Sequence, residues 1–382
     1  LALPIVLSRS CQFLVAVGGT MLASRLGDDA VAAVAIGGHD SFFAMVLPIG
    51  IMGFAQPLVA QAHGSGDATA TRRIALAALA LATLVGILYI LALPFIGDIV
   101  SLIYPALSMR VPLARYIAVR LSGAGLVFAF EGLLSYFGGI GRTKVVLAGS
   151  VIVASVGLGL TALSVAAVPR LGVVGPALGA VVGTGAGLAF LVVAYRRHSS
   201  GNDRTRIDKR DIVTLLRAGT QNGLMILAEL SAYTFFLNMI VSEIAVASRS
   251  ALLAALQLNM VAAIPAAGLA ASGGITIGHL VGANDRVKVV PFVLRLCVIV
   301  VLLQTAIGVL YLVWPRWLFS LFNVPPSLVA RGGALATLPF LCLCFLIFDG
   351  ISMTATDALR ALKDTSFCLW CRVLLAWGLL VP

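Results

Sequence analysis

Charge is what this sequence has least of. Only 11% of its 382 residues are charged, against 60% hydrophobic, where a soluble domain usually carries about 25% charged residues. A soluble fold of this length would have to turn that apolar surface towards water, so the soluble class is excluded. Histidine is scarce too: the chain has four, scattered along its length. No Gly-rich nucleotide loop with a lysine is present, so ATP hydrolysis has no motif to rest on and no enzyme constellation emerges. Polar stretches are missing except for RRHSSGNDRTRIDKRD (196–211). The six cysteines lie in or beside apolar runs. Cys368 and Cys371 form a C-x-x-C, but inside SFCLWCRVLLAWG, where neither a redox pair nor a zinc site has the polar, accessible setting it needs. Cys342 and Cys344 read the same way.

What the chain does have is a succession of long, continuous apolar runs. Each fits the roughly 20 residues that a spanning helix needs. Backbone polar groups inside lipid must be satisfied within the element, which leaves helices or a closed barrel. Runs this long and without alternation predict an all-α membrane bundle. The expected spans are 1–24, 30–61, 74–104, 110–138, 144–168, 172–195, 212–243, 250–280, 287–320, 327–360 and a last one from near 366. The first residue is not Met and Leu1 already lies in an apolar run, as do Leu379, Val381 and Pro382. The sequence is therefore expected to be truncated at both ends, with a twelfth helix missing.

The net charge of +11 would suggest nucleic acid in a soluble protein. Here the basic residues cluster at loop ends, so topology accounts for them and no nucleic-acid partner is expected. One set of loop ends carries sixteen Lys and Arg residues, including Arg72, Arg73, Arg142, Arg196, Arg210, Arg286, Lys288, Arg360 and Lys363; the opposite set carries eight, including Arg25, Arg110, Arg120 and Arg170. The richer side is expected to be cytoplasmic, which places the N-terminus and the 196–211 linker inside and predicts a multi-pass protein of a bacterial inner membrane.

The chain also repeats itself. LVAQAHGSGDATATRR (58–73) returns as ITIGHLVGANDRVKV (275–289) about 218 residues later, each an apolar helix end, a G-x-x-D turn and basic residues. FGGIGRTKVV (137–146) returns as DALRALKDTS (357–366) about 222 residues later. Pro48 and Pro265 sit at nearly the same spacing before the first of these turns. Two halves in the same orientation are the parallel repeats of several secondary transporters. They divide the chain into an N-lobe (1–195), a cytoplasmic linker (196–211) and a C-lobe (212–382).

These stretches, in this order, resemble the multidrug and toxic compound extrusion (MATE) family. ALPIVLSR resembles the opening of the family's helix 1, IGHLVGAND its helix 8 end, DALRALKDT the stretch after helix 10, and LGVVGPALGAVVG (171–183) the entry to helix 6. The resemblance covers essentially the whole chain. It implies two pseudo-symmetric six-helix lobes around a central cavity, and NorM-type carboxylates in helices 1, 7 and 10. Carried over residue by residue, the helix 1 glutamine falls on Gln12 and the helix 7 and helix 10 acids on Glu229 and Asp349. The helix 1 aspartate falls on Gly19, so this chain has no carboxylate there. The helix 7 proline is Gln221.

The residues themselves give Glu229 and Asp349 a function. A carboxylate at mid-membrane costs about 2.5–3.5 kcal/mol on insertion scales and persists where it faces a cavity and binds something. Tyr233 and Phe236 share the helical face of Glu229; Ser352, Met353 and Thr356 share that of Asp349. An acid beside hydroxyl, aromatic and thioether groups suits a proton or Na+ together with an amphipathic molecule. Na+ held between Glu229 and Asp349 and a proton on either acid both remain open. Asp40, next to His39, is a secondary candidate, either as a replacement proton site or as a hydrated acid near the outer interface. Glu131, near the inner rim, is another. Arg9 reads as a structural residue that snorkels towards the cytoplasm. Phe42, Phe43, Phe54, Phe128, Phe130 and Tyr136 are candidate aromatics for a pocket, or core.

The leading expectation is an antiporter that exports amphipathic, often cationic drugs or metabolites in exchange for Na+ or H+ by alternating access. It would act as a monomer with lipid and a small molecule as its partners, with no cofactor, and as a transporter rather than an enzyme. One alternative is a lipid-linked oligosaccharide flippase of the same superfamily, whose pyrophosphate cargo would want basic residues in the cavity; only Arg9, Arg120 and Arg372 lie within spans. The other is a membrane protein that transports nothing.

Overall fold

The computed structural model describes residues 1–105, 109–198, 207–240, 246–320, 322 and 336–380. The first half is built from α1 (Ala2–Ala23), α2 (Asp28–Gly53), α3 (Ala55–Gly64), α4 (Ala68–Ala92), α5 (Ile96–Ile103), α6 (Arg110–Ser122), α7 (Ala124–Gly139), α8 (Thr143–Ala167) and α9 (Val174–His198). The second is built from α10 (Lys209–Phe235), α11 (Val246–Gly282), α12 (Val289–Val313), α13 (Pro315–Ser320), α14 (Leu338–Ala361) and α15 (Thr365–Leu375). No strand occurs among the described residues. Half of the 196–211 linker, residues 199–206, and the start of the expected 327–360 span lie outside the described residues.

Among the described residues, eight helices are long and apolar enough to cross a membrane, nine when the pair α6–α7, bent by 45°, counts as one span. The two further expected spans are α10 and α15. The first is diluted by Gln221, Asn222 and Glu229; the second is short. Large aliphatic side chains face outwards all along the bundle, among them Leu102 at 83% exposure and Leu294 at 62%. Around a water-soluble protein such a surface would drive aggregation. Against lipid tails it carries no penalty.

Several expected spans are bent, and each bend has a local cause. The span 30–61 breaks at Phe54 into α2 and α3. Pro48 inside α2 lacks an N–H for the carbonyl one turn back, at Ala44. Tyr89 of α4 fills that vacancy, its hydroxyl donating to Ala44 O at 2.6 Å. Tyr311 of α12 likewise donates to a backbone carbonyl of α11, Leu258 O at 2.9 Å, although the carbonyl that Pro265 leaves without an N–H is that of Val261. Gly123 marks the bend between α6 and α7.

The duplication seen in the motifs reappears in backbone geometry. Gly66 (φ 78°) ends the turn after α3, and Asn284 (φ 60°), 284 − 66 = 218 positions later, does so after α11. Gly141 (φ 76°) and Lys363 (φ 67°), 363 − 141 = 222 positions apart, do so after α7 and α14. Glycine and asparagine tolerate the left-handed region, whereas a lysine there costs about 1 kcal/mol. Asp67 and Asp364, next to two of these turns, cap the following helices by accepting from Ala70 N (2.8 Å) and Phe367 N (3.3 Å).

Packing follows the same scheme. α4 packs on α7 as α12 packs on α14, and α1 packs on α8 as α10 packs on α15. The halves meet where α2 lies along α10, α1 along α11, and α3 across α11. The fold is therefore two like helical lobes side by side, the twelve-helix transporter architecture. The N-lobe core is continuous and aromatic, with Phe54, Phe128, Tyr136 and Phe137 fully buried. The described C-lobe core is split into smaller clusters around Leu258, Tyr311 and Leu346, Ile277 and Ala358, and Leu296 and Val300.

The lobes are tied together at the end that carries the Gly66 and Asn284 turns, the Lys- and Arg-rich end. α3 and α11 cross there with almost no space between them: a Cβ on Gly64 would lie 2.2 Å from His279 O, and one on Gly282 2.0 Å from Gln61 O. Small residues permit such backbone approach between membrane helices. Two hydrogen bonds span the crossing. Gln61 Nε2 donates to Ala361 O at 2.6 Å, and His279 Nε2 bonds to Gly139 O at 2.7 Å. The carbonyl can only accept, so Nε2 carries the proton. These bonds are copies of each other under the repeat, since 279 − 61 = 218 and 361 − 139 = 222. Arg73 on α4 adds an ion pair to Asp211 on α10 at 3.1 Å.

Candidate functional site

A cavity of about 940 Å³ lies between the lobes, above that crossing. Drug-sized ligand sites run to about 300–1,000 Å³. Its walls come from α1, α2, α3, α6, α7, α8 and α9 of the first half and from α10, α11, α14 and α15 of the second. Most of the lining is apolar, including Phe13, Phe42, Met45, Phe130, Met260 and Met353. The polar groups are unevenly signed: four arginines (Arg9, Arg120, Arg360, Arg372) face two carboxylates (Glu131, Asp357).

Three of the four guanidinium groups are held by side chains. Arg9 Nη1 donates to Gln12 Oε1 at 3.3 Å, Arg360 Nη1 pairs with Asp357 Oδ1 at 2.7 Å, and Arg372 Nη1 pairs with Glu229 Oε1 at 3.0 Å. Arg120 differs. It forms none of the ion pairs among the described residues, and its Nε, like that of Arg360, is buried without a hydrogen-bond partner. It sits in the last turn of α6, where a helix C-terminus favours a cation by about 0.3–1 kcal/mol. That falls short of the about 2.5–3.5 kcal/mol that an arginine costs at mid-membrane.

The expected site residues divide. Gln12, Met353, Thr356 and Glu131 line the cavity; Tyr233, Phe236, Ser352, Asp40, Glu229 and Asp349 are not among its lining residues. Glu229 and Asp349 are nevertheless brought into one neighbourhood, since Arg372 and Glu229 both act electrostatically on Asp349. Arg372 thus joins the acids to the cavity, touching Glu229 on one side and lining the cavity on the other. Asp40 accepts a hydrogen bond from the Tyr104 hydroxyl at 3.0 Å, and its neighbour His39 lines the cavity and bonds Thr234 of α10 at 3.3 Å. Of the candidate aromatics, Phe42 and Phe130 reach the cavity, whereas Phe54, Phe128 and Tyr136 are core. Phe236 begins a π-helical turn (Phe236–Ile240) that ends α10.

Two corrections concern arginines. Arg9 does not point away as a structural anchor but lines the cavity beside Gln12. Arg360, grouped with the loop-end cations in the sequence reading, lines the cavity as well. A signal for it was present: Met353, Thr356, Asp357 and Arg360 lie three and four residues apart, on one helical face. Nothing in the sequence announced the pairing of Glu229 with Arg372, which needs α10 and α15 in contact. Among the described residues no group of three or more His, Cys, Asp or Glu side chains could hold a metal ion.

A multi-pass bundle of two like lobes around a central cavity defines a secondary transporter. The chain belongs to the MatE family, whose model matches residues 4–163 and 224–381. It is similar to the probable multidrug resistance protein NorM of Bradyrhizobium diazoefficiens, 28% identical over 391 residues that cover 97% of this chain and 83% of the relative. NorM of Deinococcus radiodurans is 28% identical over 397 residues, 99% of this chain and 84% of that one. In fold it resembles an outward-facing multidrug resistance MATE family transporter of the MOP superfamily, with a TM-score of 0.86 at 19% identity, covering 100% of this chain and 85% of the other. A MOP superfamily transporter from Pyrococcus furiosus, described as having a binding pocket of reverse polarity that suggests a different function, superposes with a TM-score of 0.83 at 19% identity, covering 100% and 88%. This chain is a multi-pass bacterial membrane transporter of the multidrug-efflux class.

Proposed function

We propose that the protein is a secondary antiporter that exports amphipathic small molecules in exchange for Na+ or H+ by alternating access. The observation that carries this reading is the position of the cavity: it lies at the junction of two like lobes whose basic ends are fastened together by a close crossing and paired hydrogen bonds. Opening that crossing while closing the opposite end would expose the cavity to the other side. The lobes are taken as 1–195 and 212–382, with 196–211 as the linker. The basic end faces the cytoplasm, so the state described is closed on the inside. The working unit is a monomer in lipid, without a cofactor.

Coupling is assigned to Glu229 and Asp349, through Arg372. A proton or Na+ on Glu229 would weaken its hold on the guanidinium and release positive charge towards the cavity. Ion binding and cargo binding then act on one side chain, which supplies the coupling free energy that exchange needs. Cationic cargo, expected from the resemblance, is the part of the reading that the lining supports least, given its four arginines. The same arginines favour a second reading, the flippase of a lipid-linked pyrophosphate. The reverse-polarity pocket of the Pyrococcus furiosus neighbour is a parallel for such a departure.

The test is dye efflux from vesicles containing the full-length protein, with Na+ and proton gradients imposed separately. Uphill efflux should require one of the two gradients, and Glu229→Gln or Asp349→Asn should abolish it while the protein remains inserted. Normal pumping by both variants would move the coupling site elsewhere, with His39 and Asp40 next in line.

A further inference from the structure

Among the described residues, one cation of the cavity, Arg120, has no side chain that answers it. Arg120, on α6, lines the cavity together with Gly19, Thr20, Gly38, Thr161 and Thr184 of α1, α2, α8 and α9, and α6 itself packs on α2 and α9. None of the lining residues contributed by α1, α2, α8 or α9 is a carboxylate, and Gly19 stands where the family resemblance puts an aspartate. A Cβ on Gly19 would meet nothing within 4 Å, so that position opens onto free space. The N-lobe arm of the cavity, the lining that α1, α2, α6, α8 and α9 contribute, therefore carries an unpaired guanidinium and no acid, the N-lobe's lining carboxylate being Glu131 of α7. An arginine inside a membrane protein faces a cavity and finds an anion or water there; a guanidinium offers a fixed fork of donors suited to a carboxylate, sulfonate or phosphate.

We propose that the N-lobe arm is an anion subsite, and that the cargo is an amphipathic organic anion whose charged group is held by Arg120 while its apolar body lies against side chains such as Phe13, Phe42, Met45 and Met260. This rests on the exporter reading for the word cargo, but not for the site. The charge on the ligand follows from the lining. Asp357 and Glu229 answer Arg360 and Arg372, and Gln12 holds Arg9 beside the field of Glu131, which leaves Arg120 as the docking point for an anion.

The test is equilibrium binding by fluorescence anisotropy, with the full-length protein in nanodiscs of phosphatidylcholine alone. The probes share a xanthene frame and differ in charge: fluorescein is anionic and rhodamine 123 cationic. Fluorescein should bind at least tenfold more tightly. Arg120→Gln should weaken it tenfold or more and leave rhodamine 123 within about twofold, and Arg120→Lys should keep most of the affinity. Gly19→Asp, which places an acid in the same arm, should weaken fluorescein and strengthen rhodamine 123; this variant and Arg120→Lys carry the test if Arg120→Gln does not fold. Displacement of fluorescein by benzenesulfonate marks a free organic anion as the source of the charge. Displacement by geranyl diphosphate alone keeps the anion subsite and points to lipid-linked cargo. Tighter binding of rhodamine 123 by the unmodified protein, or fluorescein binding indifferent to Arg120→Gln and Gly19→Asp, overturns the proposal. Arg120-dependent binding in a protein that moves no dye in vesicles would sink the exporter reading and leave the subsite standing.

Discussion

Removing the side chains of Gln61 and His279 should loosen the lobes at their basic end by an amount that can be worked out beforehand. Each makes one hydrogen bond to a backbone carbonyl of the other lobe, at 2.6 and 2.7 Å. Such a bond is worth about 1 kcal/mol net, and about 1–2 kcal/mol is a factor of roughly 5–30 in an equilibrium. Gln61→Ala or His279→Ala alone should raise the population opened at this end about fivefold. If the two bonds act independently, the double variant should reach about thirtyfold. The readout is the distance between nitroxides at Ser65 and Lys288, one in each lobe's turn, by pulsed electron resonance in a variant whose six native cysteines are replaced. A longer distance should gain population in that order, and His279→Gln, which keeps a donor, should restore part of the closed form. Unchanged distances in the double variant, or a His279→Gln protein that opens as far as His279→Ala, would show that the crossing is held by its glycine packing and not by these bonds.

Further expectations follow from single contacts. Gly282→Val puts side-chain atoms where Gln61 O already lies 2.0 Å from a Cβ, so it should drive the lobes apart more than either hydrogen-bond variant, seen as faster labelling of a cysteine at Ser65. Lys363→Gly relieves a left-handed lysine (φ 67°) and should raise stability by about 1 kcal/mol, read as a higher midpoint in thermal unfolding in detergent; no change would mean that the turn relaxes at no cost. Tyr311→Phe removes a bond to Leu258 O from a residue only 4% exposed and should lower stability by about 0.5–1.5 kcal/mol in the same assay. A cysteine at Ser200, in the linker, should resist membrane-impermeant reagents in intact cells; rapid labelling from outside would invert the proposed orientation.

Membership of the membrane class and the internal duplication were legible in the chain itself, because both depend on local composition and on spacing. Apolar runs of spanning length can only be helices in lipid, and a turn written as G-x-x-D needs a left-handed residue before the acid wherever it recurs. Gly66 and Asn284 were predictable as a pair for that reason, and helix ends agreed with the expected spans to within a few residues for α1, α8 and α9. The break at Phe54 was less visible. Pro48 and Pro57 flag that a helix is disturbed without saying which carbonyl will be freed or what will satisfy it, and Tyr89 answers that only from a neighbouring helix.

The cavity lay further from the sequence. Glu229 and Asp349 stood out as acids in apolar helices, but their surroundings depend on Arg372, 143 positions from Glu229, and the sequence reading weighed that arginine only by its number. Arg9, Arg120 and Arg360 were sorted by distance along the helix from the membrane edge, a one-dimensional measure that cannot tell a lipid-facing side chain from one turned inwards. Local pattern determined that helices form, where they turn and that they come as two copies, since those free energies are settled within a few residues of chain. Tertiary packing decided which charges share a chamber and with what net sign, because an ion pair or an unanswered guanidinium is a property of distances between helices that lie far apart in the sequence.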